Sequence, residues 1–206
     1  MLIFGNNLSF NTLYETRSPQ FMSLLSADIS NDNNEQWYAM RATYHREMVV
    51  RDALNLAGIE CYLPTTQKLK NLHGRKVRVT TPLVSSLIFV KGSKERLQRF
   101  KVKVPHLQYM TRPVGGKNVP IIVPKKQMDD FIMVTKADSE RLMFFKPGEL
   151  DVKHGSLVRL HGGAFDGLEG AVVKVTGKRN KRFVLEVNDV IAVALECTDF
   201  QFVEVL

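Results

Sequence analysis

Cysteine is nearly absent from this chain. Cys61 and Cys197 are its only two, far apart in sequence, so no disulfide framework is expected and both thiols read as reduced. The five histidines (His45, His73, His106, His154, His161) show no H-x-x-x-H or Cys-paired spacing, which argues against a structural zinc. No apolar run approaches the roughly 18 residues of a membrane span. The apolar start at residues 1–4 has no basic region before it and polar residues directly after it, unlike a signal peptide. The expectation is a cytoplasmic protein with no membrane partner. A G-x-x-x-x-G-K-[ST] phosphate loop, an H-E-x-x-H pair and a nucleophile elbow are all missing. Asp129-Asp130 is the one adjacent acid pair in the basic part of the chain, and its neighbours read as helix surface. Neither catalysis nor a cofactor is expected.

What is abundant is positive charge, and it is concentrated. The net charge is +8 over 206 residues. Residues 1–35 contribute −3 and residues 147–206 contribute −2, whereas residues 36–146 carry twenty-one Lys/Arg against eight Asp/Glu, a net of +13. Between 66 and 103 there are eleven Lys/Arg and a single acid, Glu95. Such a run is compatible with a solvated face. Loops and helix edges of one sign are also how a protein tracks a phosphate backbone without reading sequence.

Residues 1–35, with six Asn and five Ser, read as a flexible N-terminal extension. Gln36 to Arg41 then forms an aromatic strand led by Trp37-Tyr38. Thr43 is placed to cap a helix over His45 to Ala57, with Glu47 in its first turn, Val50, Leu54 and Ala57 on one stripe, and Gly58 as its stop. A strand from Ile59 to Leu63 ends at Pro64. A basic hairpin follows, with Lys68, Lys70, Arg75, Lys76 and Arg78 flanking the turn candidate Asn71–Gly74. Leu83 to Val90 reads as a buried strand and Ser93 as the cap of a helix over Lys94 to Lys101. Strands over Leu107–Thr111 and Val119–Val123 flank the Gly115-Gly116 turn. Pro124 opens a helix to Ala137 with Met128, Ile132 and Val134 on its apolar side. The order β-α-β-hairpin-β-α-β-α fits a ferredoxin-like sandwich.

After residue 137 the chain reads as a linker over 138–150, and then as short strands only. Gly155 to Val175 runs GSLVRLHGGAFDGLEGAVVKV, a strand, a glycine-dense loop and a second strand. Further strands are expected at Arg182–Val187, Val190–Leu195 and Phe200–Val205. Five short strands in about 55 residues suit a small SH3-like barrel. The hydrophobic–Arg–hydrophobic strand, the G-x-F loop and the following glycine, with Arg159, Phe165 and Gly170 at the key places, resemble a KOW motif. Each glycine of that loop disfavours helix by roughly 1 kcal/mol, so this part is expected to be β throughout.

A Trp-Tyr strand opening a basic α/β domain, a linker and a C-terminal KOW motif together resemble the NusG family of transcription elongation factors. The likeness covers about residues 36–206. It is carried in order by Trp37-Tyr38, Cys61-Tyr62-Leu63-Pro64, the strand at Pro82 to Val90, Val104-Pro105, and the closing Asp199 to Glu204. The Trp-Tyr-Ala-Met-Arg-Ala-Thr-Tyr opening and the Gly-Ile-Glu-Cys-Tyr-Leu-Pro strand are similar to UpxY-type antiterminators, which act on long polysaccharide-biosynthesis operons. The resemblance implies an α+β protein in four parts. These are an extension (1–35), a basic polymerase-binding domain of ferredoxin-like fold (36–137), a linker (138–150) and a five-stranded SH3-like KOW domain (151–206).

It also implies partners and sites. The family's N-terminal domain binds the clamp helices of RNA polymerase through an apolar depression floored partly by an F-P-x-Y strand. Here Val84 and Leu87 stand at the two aromatic positions and Ser85-Ser86 replace the Pro-x pair, while Arg41 would lie beside the depression. The plainer reading is that Val84 and Leu87 are only core. In specialised members the loop after the first strand meets the non-template DNA strand, and here that place holds Tyr44, His45 and Arg46. Two rings able to stack on bases and a guanidinium for phosphate suit that role or recruitment by a leader RNA, although capping and solvent exposure would also explain them. Arg75, Lys76 and Arg78 would add phosphate contacts. The KOW domain of the family recruits the termination factor Rho or a ribosomal small-subunit protein. An exposed Phe165 would be the anchor, unless it packs under its own loop. A KOW protein acting on RNA or the ribosome without polymerase is the other functional class open at this point.

Overall fold

The computed structural model describes residues 34–72, 74–137, 142–150, 152, 155–177, 179–196 and 202–206. The extension at 1–33 lies outside them.

Strand β1 (Gln36–Ala42) has both faces buried. Its even-numbered side chains Tyr38, Met40 and Ala42 enter one core, and its odd-numbered Trp37 and Ala39 enter another. That is the period-2 alternation of a strand between two apolar layers. Across a 3-10 turn at Thr43–His45, helix α1 (Glu47–Leu56) packs Val50, Ala53 and Leu54 on the first core. Gly58 adopts φ +63 after it, the left-handed stop that a Cβ disfavours. Strand β2 (Cys61–Tyr62) is short, and the ribbon β3 (Thr65–Leu72) and β4 (Arg75–Pro82) pairs with itself alone. Strand β5 (Leu87–Gly92) returns to the sheet. Helix α2 (Lys94–Lys103) is capped by the Ser93 hydroxyl, which accepts from the Arg96 amide at 3.3 Å. Then come β6 (Leu107–Tyr109), a small hairpin β7 (Thr111–Val114) and β8 (Lys117–Pro120), β9 (Ile122–Val123) and helix α3 (Lys125–Ala137).

The sheet order is β2-β5-β1-β6, with β9 also on β1, and every pairing is antiparallel. Helices α1 and α2 cover one face. Helix α3 covers the other, with Met128, Phe131 and Val134 fully buried and Phe131 set edge-on to Phe89 at 5.1 Å, an arrangement that favours the ring pair. Ile132, expected on that stripe, is only partly buried; Phe131 takes the central place.

The second unit is a six-stranded antiparallel sheet, β10 (Met143–Phe145), β14 (Ile191–Glu196), β13 (Lys181–Val187), β12 (Glu169–Lys174), β11 (Ser156–His161) and β15 (Phe202–Val205) in spatial order. Its outer strands do not pair with each other among the described residues. Five strands are expected from sequence; the sixth, β10, lies inside the stretch read as linker. Phe144 of β10 faces the same core as Val193, and Met143 and Phe145 pack with Ala192 and Ala194 on the opposite face. The β13–β14 connection turns at Asn188 and Asp189, both left-handed at φ 37 and 58, and is closed by the Val190 amide donating to the Val187 carbonyl at 2.8 Å.

Gly170 is where the chain leaves room for a neighbour. A Cβ there would lie 2.5 Å from both Phe183 Cζ and the Val184 carbonyl oxygen. Backbone cannot swing aside as a side-chain tip can. Gly170→Ala is therefore expected to lower stability by about 1–3 kcal/mol, the usual cost of forcing volume into a packed site, read as a fall in the urea midpoint.

Candidate functional site

The turn between β4 and β5 builds one rim of a cleft. Ser86 sits at φ 61, an uncommon backbone for a residue with a Cβ. Three contacts hold it there. Its amide donates to Glu47 Oε1 at 2.6 Å, its carbonyl accepts from the Ala42 amide at 3.1 Å, and Leu87 pairs with Arg41 across the sheet. Glu47 is 3% exposed, so this carboxylate, expected only as a favourable first-turn charge, also pins the turn. Val84 consequently lies in the turn and not on the strand expected for it, half-buried against the second core. Arg41, Val84, Ser85, Ser86 and Leu87 come together around a cleft of about 420 Å³.

The far wall of that cleft is the C-terminal sheet. Val190 and Ile191, with Lys146-Pro147 beside them and Met110 from the first unit, complete the lining. Leu87 is only 4% exposed and shares one continuous buried cluster with Phe89 and Phe131 on one side and Phe165, Phe183, Leu185 and Ile191 on the other. Helix α3 packs on β13 and on the 3-10 turn at Gly163–Phe165. Polar contacts rim the seam: Lys126 to Glu169 at 3.2 Å, Arg112 to Asp189 at 4.0 Å, and the Asn188 side-chain amide donating to the Ile122 carbonyl. Exposed pairs of this kind add little; the apolar cluster holds the seam. Arg159 and Lys126 both donate to Glu169 and hold its carboxyl below the ordinary range, so these pairs persist at neutral pH and are lost only as pH falls through that lowered value. Burial pushes the nearby Asp130 carboxyl the other way, against the pull of Lys126.

Phe165 is corrected by this arrangement. It is 5% exposed, within the shared cluster, and so is no exposed anchor at a loop tip. The loop folds back because Leu160 donates to the Leu168 carbonyl and Gly167 to the Leu160 carbonyl, turning the ring inward.

The second group follows directly on the C-terminal end of β1. Thr43 caps no helix; its amide and hydroxyl both donate to the His106 carbonyl, at 2.9 and 3.4 Å. Tyr44 and His45 both take left-handed backbone, φ 58 and 54, which delays α1 to Glu47. The reward for the strain is exposure: Tyr44 is 81% exposed, its ring edge-on to His106 at 5.8 Å. Strained backbone of this sort persists only where its surroundings over-determine it. Arg46 donates to His106 Nε2 at 3.0 Å. Nothing in the sequence singles out His106 for this place. Only the closure of the loop between α2 and β6 onto β1 brings it here, sixty residues from Arg46.

The third group is the β3–β4 ribbon, exposed over Gln67–Asn71 and Gly74–Arg78. Its register pairs Leu69 with Arg78 and Asn71 with Lys76, and Lys68 with Val79 and Lys70 with Val77. Side chains of paired residues share a face. Lys76 and Arg78 thus lie on one face, while Arg75 joins Lys68 and Lys70 on the other. The expected trio is split, and both faces of the ribbon are basic.

A cleft covered by the second unit, a strained corner at Tyr44-His45 and a basic ribbon are thus carried by a protein of mixed α/β class. Among the described residues no His/Cys/Asp/Glu group could hold a metal, and no helix is long and apolar enough to cross a membrane. Residues 35–132 match the family model described as "NusG: Transcription termination factor nusG". No curated protein matches the chain in sequence. A solved structure described as "Domain interaction in Thermotoga maritima NusG" aligns at 16% identity and a TM-score of 0.43, over 84% of this chain and 98% of that one.

The seam is open to a direct check. Ile191→Glu places a charge against Leu87 and Val84 and should separate the two units, raising the radius of gyration in small-angle scattering while far-UV circular dichroism stays unchanged. An unaltered radius would mean that the cluster tolerates the charge in place.

Proposed function

We propose that this protein is a transcription elongation and antitermination factor that rides on RNA polymerase and promotes read-through of a long operon, one for capsular or surface polysaccharide. The observation that carries the proposal is the convergence of Arg41, Val84 and Leu87 on one apolar cleft of a NusG-family domain. In this reading the cleft takes the polymerase clamp helices, Leu87 and Val84 supplying apolar contact and Arg41 an edge charge. Tyr44, His45 and Arg46 meet non-template DNA or a leader RNA, and the ribbon adds phosphate contacts. The protein works by bridging, with no chemistry of its own. The C-terminal sheet is the KOW domain, which takes Rho or a ribosomal small-subunit protein once Phe165 is uncovered.

The closed seam has an energetic consequence for this reading. Polymerase reaches Leu87 only after Val190 and Ile191 leave, so its apparent affinity is reduced by the fraction of molecules that are open. A change that weakens the seam while leaving Arg41, Val84 and Leu87 intact should therefore strengthen binding.

The test is retention of RNA polymerase by the tagged full chain. Native protein should retain it, Leu87→Asp should lose it, and Ile191→Glu should retain more. If the native protein and Ile191→Glu both retain none while ribosomes co-purify, the chain is an RNA- or ribosome-binding KOW protein instead. On the nucleic-acid side, Lys76→Ala and Arg78→Ala should each reduce the salt slope of binding by about one, measured by titration at several salt concentrations.

A further inference from the structure

We propose that the closed cleft binds a small amphipathic anion, an apolar body carrying one carboxylate or phosphate group, which locks the two units together. The site stands on its own geometry; its regulatory consequence rests on the polymerase reading given above.

Two cations line the cleft, one from each side. Arg41 continues the odd-numbered face of β1, which bears Trp37 and Ala39 and packs on the shared cluster. Lys146 comes from the opposite wall, directly after β10. Neither side chain has an ion-pair partner among the described residues. The acids of the adjoining segments are engaged elsewhere. Glu149 accepts from the Lys146 backbone amide at 2.7 Å, Asp189 pairs with Arg112 at 4.0 Å, and Glu47 accepts from the Ser86 amide at 2.6 Å. Closure thus sets two like charges on one cleft, a repulsion that an anion held by both would turn into attraction.

Between the cations the walls are apolar. Val84, Leu87 and Met110 come from the first unit, and Pro147, Val190 and Ile191 face them. At about 420 Å³ the cleft has the size of a small-ligand site. Such sites favour junctions between domains and set a few polar groups among apolar walls.

The lining selects the chemistry of the ligand. A guanidinium grips a carboxylate or phosphate through paired N–H donors, and the ammonium adds a compact second charge. A wholly hydrophilic anion leaves the apolar walls unused, and a neutral apolar molecule leaves both cations unpaired. A molecule with both parts satisfies both. Because the lining comes from both units, the ligand binds the closed form, and every molecule so held is withdrawn from polymerase.

The experiment titrates octanoate, octyl phosphate and neutral octanol into the full chain by calorimetry. Native protein should bind the preferred anion about tenfold or more tightly than octanol, and the ranking of octanoate against octyl phosphate tells which head group the site takes. Arg41→Ala and Lys146→Ala should each weaken that anion about tenfold and leave octanol unchanged. Both side chains are exposed, so neither substitution removes core packing. The anion should also lower polymerase retention by the native chain, and Lys146→Ala should lose that sensitivity. The site is overturned if the native chain binds neither anion, if octanol binds as tightly, or if both variants bind the anion as the native chain does. Anion binding that leaves polymerase retention unaltered would overturn the lock. Anion binding through both cations in a chain that retains no polymerase would leave the site standing and remove the polymerase reading.

Discussion

Burial of one strand on both faces is the constraint on which the rest depends. Strand β1 pairs with β5, β6 and β9 and feeds side chains into two cores. A strand so placed cannot slip by one residue without exchanging the two sets. Its register therefore fixes where Arg41 ends up and where Tyr44 begins. The cleft at the edge of one face and the aromatic corner beyond its end are two consequences of the same anchored strand. Both lie at the C-terminal end of the strand, Arg41 within it and Tyr44 just past it, so one register sets both.

Much of this was legible in the residues. The Trp-Tyr alternation marks β1, Ser93 marks the start of α2, and Gly58 marks the end of α1, each by a local mechanism that needs no tertiary information. The ribbon is legible as well, and its two-faced charge could have been read from the alternation of Lys68 and Lys70 against Lys76 and Arg78 about a centred turn.

What was not legible depends on contacts distant in sequence. Tyr44 carries none of the usual licence for left-handed backbone; it adopts it, with His45, because Thr43 and Arg46 are tied to His106 from a loop sixty residues on. Val84 belongs to a strand pattern, yet Ser86 is turned by a buried carboxylate on α1. Phe165 looks like a loop tip until the loop is folded under its own strand. Met143–Phe145 is too short to announce itself as a strand without Ile191–Glu196 beside it. The cleft residues follow from family likeness, but their cover, Val190 and Ile191, is an arrangement of two units that neither segment encodes alone.

The ribbon separates two kinds of force in space. Its strands are eight residues long, a reach of about 27 Å at some 3.4 Å per residue. That is several times the roughly 8 Å over which charge is felt at physiological salt. The lysines and arginines near its tip are therefore electrically remote from the apolar cleft at its root. Ionic strength acts most on the charges of the ribbon and least on the apolar floor of the cleft, while temperature, acting through apolar burial, does the reverse. One small protein thus holds two handles that respond to different variables.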